Sequence, residues 1–136
     1  MGKLHLEVVT PEKVMVSQDV EMVVAPGSLG EFGVLEGHIA FLSGIVPGEM
    51  RYVAEGVEEC LAVSSGFAEV LDNKVSVLVD AAELACDIDV ERARRALERA
   101  NERLKREKGH KDLDLFRLES ALRRALARLK VAKKAL

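Results

Sequence analysis

Residues 73–104 read NKVSVLVDAAELACDIDVERARRALERANERL, and within this stretch the repeat of apolar residues changes. Val75, Val77 and Val79 share one face of an extended segment, the period-two pattern of a strand. Beyond Asp87 the pattern is different. Val90, Ala93, Leu97, Ala100 and Leu104 step by three and four, which is the seam of a helix. The chain therefore holds two kinds of structure, joined near residue 87.

Toward the N-terminus the period-two pattern continues in Leu4, Leu6 and Val8, in Val20, Met22 and Val24, and in Leu61 and Val63. Turn formers interrupt it at short intervals: Thr10-Pro11-Glu12-Lys13, Pro26-Gly27-Ser28, Pro47-Gly48, Glu55-Gly56 and Leu71-Asp72-Asn73-Lys74. Short strands with frequent turns predict an all-β sandwich or barrel over residues 1–86.

Toward the C-terminus, Asp89 suits the N-cap of the first helix, and Ile88 before it can staple onto Ala93. The pattern breaks at Gly109-His110-Lys111. A second helix starts at Asp112 or Asp114, with a seam of Leu115, Leu118, Leu122, Ala125, Leu129, Ala132 and Leu136. Acids at its start and bases at its end complement the helix dipole. Residues 87–136 thus predict an antiparallel two-helix hairpin, and the whole chain an α+β fold. Alanine at about every second seam position buries little area, since a CH₂ contributes only about 0.8 kcal/mol. A hairpin of marginal stability is suited to changing its position.

The charge divides at the same boundary. Residues 1–86 hold 4 Lys/Arg and 14 Asp/Glu, whereas residues 87–136 hold 16 Lys/Arg and 9 Asp/Glu. The acidic half repels nucleic acid and anionic lipid, and the basic half seeks an acidic surface. A basic helical nucleic-acid-binding module is the alternative, but the acids are interspersed among the bases. Base-stacking rings are nearly absent too, with four Phe, one Tyr and no Trp. Cys60 and Cys86 form no metal-ligand spacing, and a reducing compartment is expected. No secretory leader and no membrane-spanning run are expected, so membrane association would run through a partner.

Gly27, Gly30, Gly33 and Gly37 lack the Lys-Ser/Thr of a phosphate loop and are better read as turn glycines. His38, His5 and His110 stand apart from other ligands, so no metal site is expected. Ser64 and Ser65 lack a nucleophile-elbow frame, and no catalytic constellation is found. The arginines are more informative. Arg92 and Arg99 share a face of the first helix, and Arg124 and Arg128 share a face of the second. A closed hairpin could gather them around one anion, with Ala93 and Ala96 leaving room for a flat base. A solvated basic face is the competing explanation.

The stretch from Pro26 to Met50, built around Gly30, Gly33, Gly37 and His38, closely resembles the signature of ATP synthase ε subunits. Ser65-Gly66-Phe67-Ala68-Glu69-Val70 resembles the closing hairpin of that family's sandwich, and Ile88-Asp89-Val90-Glu91-Arg92-Ala93 its nucleotide-binding pattern. Departures fall at Glu36, at Ile39-Ala40 and at Ser65, all in turns. The resemblance implies a non-catalytic rotor component without a required cofactor, peripheral on the cytoplasmic face of a bacterial inner membrane. It also implies that the sandwich meets the γ subunit and the c-ring, with Glu31, Gly33 and His38 at that interface. Glu31 as an ordinary solvated turn acid stays open. The hairpin, by resemblance, blocks ATP hydrolysis when its bases meet an acidic segment of a β subunit. ATP as a regulatory ligand would be held by Glu83, Ile88, Asp89, Arg92, Ala93, Arg99, Arg124 and Arg128.

Overall fold

The computed structural model describes residues 3–106 and 112–134: ten strands followed by two helices. β1 (Leu4–Val9) pairs antiparallel with β2 (Val14–Val20) and parallel with β9 (Lys74–Val79). From β9 the sheet continues through β8 (Gly66–Leu71) to β5 (Phe41–Ile45). On the other side, β3 (Met22–Gly27) lies between β4 (Gly30–Val34) and β6 (Gly48–Ala54). β6 pairs with β7 (Val57–Val63), and β7 with β10 (Ala82–Leu84). The two sides join where β3 meets β5 at a single registered pair, Gly27 and Ile45. Gly27 has to be a glycine there, because a Cβ would lie 2.6 Å from the Gly30 carbonyl oxygen and 2.8 Å from Phe32.

The core is what the period-two pattern predicts. Leu4, Leu6 and Val8 of β1, Leu61 and Val63 of β7, and Val75, Val77 and Val79 of β9 all enter it. Full burial of a Val or Leu side chain contributes about 1.5–3 kcal/mol, so this cluster is the main stabilising mass. Met50 and Tyr52 of β6 join it. Burial first, and then the charge of Glu59, raises the Tyr52 phenol above its ordinary pKa.

Two local expectations need correction. Val20, Met22 and Val24 do not form one face, because the chain bends at Glu21 between β2 and β3. The bend shifts the phase by one residue, and Val20, Val23 and Ala25 enter the core instead. Pro26 and Gly27 continue β3, so the turn falls on Ser28 and Leu29. The β8–β9 turn is as expected: Asp72 and Asn73 take φ of 48° and 61°, the left-handed pair that matches hairpin twist.

A 3-10 turn, Ala85–Asp87, contains the division placed after residue 86 and leads to α1 (Val90–Arg106) and α2 (Asp112–Lys134). Asp89 caps α1, its Oδ1 accepting from the Arg92 amide at 3.1 Å. The connection at Gly109-His110-Lys111, the side chains of Asp112 and Asp114, and Leu136 lie outside the described residues. The helices pack on each other, and α2 lies on β6 and β7.

The α2 surface carries more than the single seam expected. Leu118, Ala125 and Ala132 are buried at seam positions, but Ala127 and Val131 are buried too. Val131, Ala127 and Ala132 pack with Cys60, Ala62 and Ile88 in a second cluster, separate from the sandwich core. Ile88 therefore lies among α2 and β7 residues rather than stapling onto Ala93, which is not a member of that cluster. The second stripe is short and built from small residues, so it passes for polar surface between Arg124, Arg128 and Lys130.

Candidate functional site

Strand alternation decides which side chains meet the hairpin. In β6, Met50 and Tyr52 point into the sandwich, which turns Glu49 and Arg51 to the opposite face. In β7, Leu61 and Val63 point inward and Cys60 and Ala62 face α2. In β10, Ala82 points inward and Glu83 outward. Register then sets Glu49, Ala62 and Glu83 in one row across three strands.

A cleft of about 670 Å³ opens between α1 and the sandwich. Arg92, Ala93, Ala96 and Arg99 of α1 form one wall, with Asp89 at the helix start. Glu83 and Arg128 close one end, and Arg128 Nε donates to Glu83 Oε1 at 2.5 Å. Six of the eight residues expected around a nucleotide thus line one cavity. Arg124 lines a small adjoining depression that shares Glu83 and Arg128. Ile88 is the exception: its side chain is buried beneath α2, while its neighbours Asp87 and Asp89 line the cleft.

The opposite wall was not anticipated. It comes from the β1–β2 turn, with Thr10, Glu12 and Lys13, and from Asp80 at the end of β9. No sequence motif signals it, because only the parallel pairing of β1 with β9 brings residues 10–13 near residue 80. The lining mixes Lys13, Arg92, Arg99 and Arg128 with five carboxylates. Arg92, Arg99 and Arg124 form no ion pair with a described residue, whereas Arg94 pairs with Glu91 at 2.8 Å and Arg106 with Glu102 at 3.3 Å. A cavity whose wall carries exposed guanidinium forks, two of them paired with no described residue, beside carboxylate acceptors fits a ligand that is anionic at one end and a hydrogen-bond donor at the other.

A second set of residues expected at an interface lies on β4 and the segment after it. Glu31 is exposed on β4 and its Oε2 lies 3.5 Å from Arg51 Nη1. Gly33 is exposed on the same strand. His38 is half-buried, its Nδ1 donating to the Ile39 carbonyl at 2.7 Å, with its ring edge-on to Phe41. Leu29, Leu35 and Ile39 in the same stretch of chain, and Leu42 and Phe67 on β5 and β8, are exposed apolar side chains. Leu29 is fully exposed at 101 %. Periodicity alone does not single out these apolar residues, because they fall in turns and on outward strand positions.

Among the described residues no group of His, Cys, Asp and Glu could hold a metal ion, and no helix is long and apolar enough to cross a membrane.

Comparison with known proteins points one way. The family profile described as "ATP synthase, Delta/Epsilon chain, beta-sandwich domain" matches residues 3–85, and "ATP synthase, Delta/Epsilon chain, long alpha-helix domain" matches residues 87–133. The ATP synthase epsilon chain of Nitratidesulfovibrio vulgaris is 52% identical over 128 residues, covering 94% of each chain. That of Syntrophobacter fumaroxidans is 52% identical over 132 residues, covering 97% of each. A chain in the Euglena gracilis mitochondrial ATP synthase, in an OSCP/F1/c-ring structure, superposes with a TM-score of 0.80 at 25% identity, over 96% of this chain and 81% of that one.

Proposed function

The chain belongs to the ATP synthase delta/epsilon chain family and serves as an epsilon subunit of the central stalk, and from that premise we propose that its hairpin is an ATP-sensitive brake on ATP hydrolysis. The observation that carries this is the cleft between α1 and the sandwich, which exists only while the hairpin is docked. A ligand that needs Arg92 and Arg99 from α1, Arg128 from α2 and Glu83 from β10 binds the docked state and no other. It therefore shifts the hairpin toward docking by its differential affinity. Phosphates would meet the arginine forks, while the base amine and ribose hydroxyls would donate to carboxylates. When ATP is scarce, α1 and α2 would be freer to leave and to present their bases to an acidic segment of a β subunit.

The sandwich is the fixed part in this reading. Its exposed apolar surface, with Glu31, Gly33 and His38, would face the γ subunit and the c-ring, holding the chain at the cytoplasmic face of the bacterial inner membrane without entering it. The subunit itself would perform no catalysis.

Two measurements test the reading. Calorimetric titration of the chain with ATP should show binding that is weakened at least about tenfold in Arg92→Ala; no heat from the natural chain up to concentrations on the order of millimolar would remove the ATP component. Deleting residues 88–136 should raise the ATPase activity of the assembled enzyme, and unchanged activity would count against an inhibitory hairpin.

A further inference from the structure

Glu49 is the least exposed acid in the described chain, its side chain only 3% accessible, and it sits where α2 covers β6. Register places it on the same row as Ala62 and Glu83. α2 crosses that row above Ala62, with Ala127 and Val131 packed downward. Its flanks carry two bases toward the two carboxylates: Arg128 to Glu83 at 2.5 Å, and Lys130 to Glu49 at 4.0 Å. Glu49 Oε1 also lies 3.4 Å from Arg51 Nη1, and the same Nη1 lies 3.5 Å from Glu31 Oε2 on β4. Glu31, Arg51, Glu49 and Lys130 thus form a continuous line of alternating charge from the exposed end of β4 to α2.

We propose that Glu49 fastens the hairpin to the sandwich and, by sharing Arg51 with Glu31, couples hairpin docking to the engagement of Glu31 by a partner's cationic side chain. The sign follows from burial. With α2 in place water is excluded around Glu49, and its attraction to Arg51 is stronger than when the hairpin has left. Anything that withdraws Glu31 from Arg51 lets Arg51 commit to Glu49, and that gain is larger in the docked state. A partner cation on Glu31 therefore tightens docking. By reciprocity, a docked hairpin draws Arg51 away and leaves Glu31 more available to that partner. The link to a partner rests on the placement of Glu31 at the interface proposed above. The fastening is intramolecular and does not depend on it, nor on ATP.

The chain carries its own reporter. Cys60 is buried beneath α2, and Cys86 is exposed. With a colourless thiol-reactive disulfide such as dithiobisnitrobenzoate, Cys86 of the full chain should react fast and Cys60 only as the hairpin opens. Glu49→Gln should speed Cys60 by about threefold to tenfold, the range of one partly buried ion pair, with the Cys86 rate unchanged. Lys130→Gln should act in the same direction and less than additively with Glu49→Gln. Glu31→Gln should slow Cys60. No change in Glu49→Gln overturns the fastening role. A Glu31→Gln rate that is unchanged or faster overturns the coupling. If Glu49→Gln loses the sandwich fold, seen as loss of the strand circular-dichroism signal, the surface variants Lys130→Gln and Glu31→Gln decide both points. All of these rates are read without ATP, so failure of the nucleotide reading would leave them as they are, and neither Glu31 nor Glu49 lines the cleft.

Discussion

Arg128 on α2 donates from Nε to Glu83 on β10 at 2.5 Å, an ion pair that spans residues 45 apart in sequence and joins the hairpin to the sandwich. It also stands at the end of the cleft, so the same guanidinium serves docking and, in the proposed function, phosphate. Both side chains are 33% exposed, and solvent screens their attraction. Glu83→Ala or Arg128→Ala should weaken docking by about 1 kcal/mol or less. The double variant should cost less than the sum. Cys60 reactivity measures each arm of that cycle, and strict additivity would show that the pair contributes nothing in solution.

Arg92 and Arg99 present the free guanidinium groups of the cleft wall. Replacing either by alanine should lower ATP affinity by about tenfold to a hundredfold, as loss of a charge-assisted contact of roughly 1.5–3 kcal/mol implies. The melting temperature without ATP should stay the same, since neither forms an ion pair with a described residue. Calorimetry with and without ATP checks both halves. Loss of stability in the absence of ATP would instead assign these arginines to holding the hairpin.

Where periodicity is long and local, the sequence makes the fold readable. Val75, Val77 and Val79 alternate, and Asp89 caps the helix that follows, so strand, boundary and helix are all visible in residues 73–106. The arginines of the cleft are legible because helical spacing places them on shared faces. The β1–β2 turn wall of the cleft and the row of Glu49, Ala62 and Glu83 are not. They depend on which strands pair, above all β1 with β9, and pairing at a separation of about seventy residues leaves no local trace. Val131 is hidden for another reason: the second stripe of α2 has so few apolar residues that it shows only once the helix lies against Cys60 and Ala62.

Gly66 begins β8 opposite Val79. A Cβ there would lie 1.9 Å from the Leu78 carbonyl oxygen and 2.7 Å from the Val79 Cα, and both obstacles are backbone. Gly66→Ala should therefore force β8 from β9 and destabilise the sandwich by about 3 kcal/mol or more, at the upper end of overpacking costs. Denaturant unfolding measures it. A cost below about 1 kcal/mol would mean that the strands can part cheaply.

The raised pKa of the Tyr52 phenol predicts an alkaline limit to stability. A folded value above the unfolded value of 10.0 means that the native state keeps its proton longer. The contribution is fully present below pH 10.0 and is lost as pH rises through the folded value. Unfolding free energy should fall in that window for the natural chain and fall less for Tyr52→Phe. Identical profiles would show that Tyr52 titrates freely in the folded state.

Val131 separates the stability of the hairpin from that of the sandwich. It is fully buried, yet it belongs to the cluster beneath α2 and not to the sandwich core. Val131→Asp would bury an unpaired carboxylate beside Cys60 and Ala62, a cost of several kcal/mol that the helix avoids by lifting away. The core formed by Leu4, Leu61 and Val77 keeps its packing in either case. The expected result is a sandwich unfolding transition close to that of the natural chain, with Cys60 reacting as fast as Cys86. ATP binding should be lost along with docking, since the cleft needs α1 and α2 against the sandwich. A variant that unfolds as a whole would show instead that hairpin and sandwich form one cooperative unit, and a hairpin that cannot leave without unfolding its anchor cannot serve as a switch.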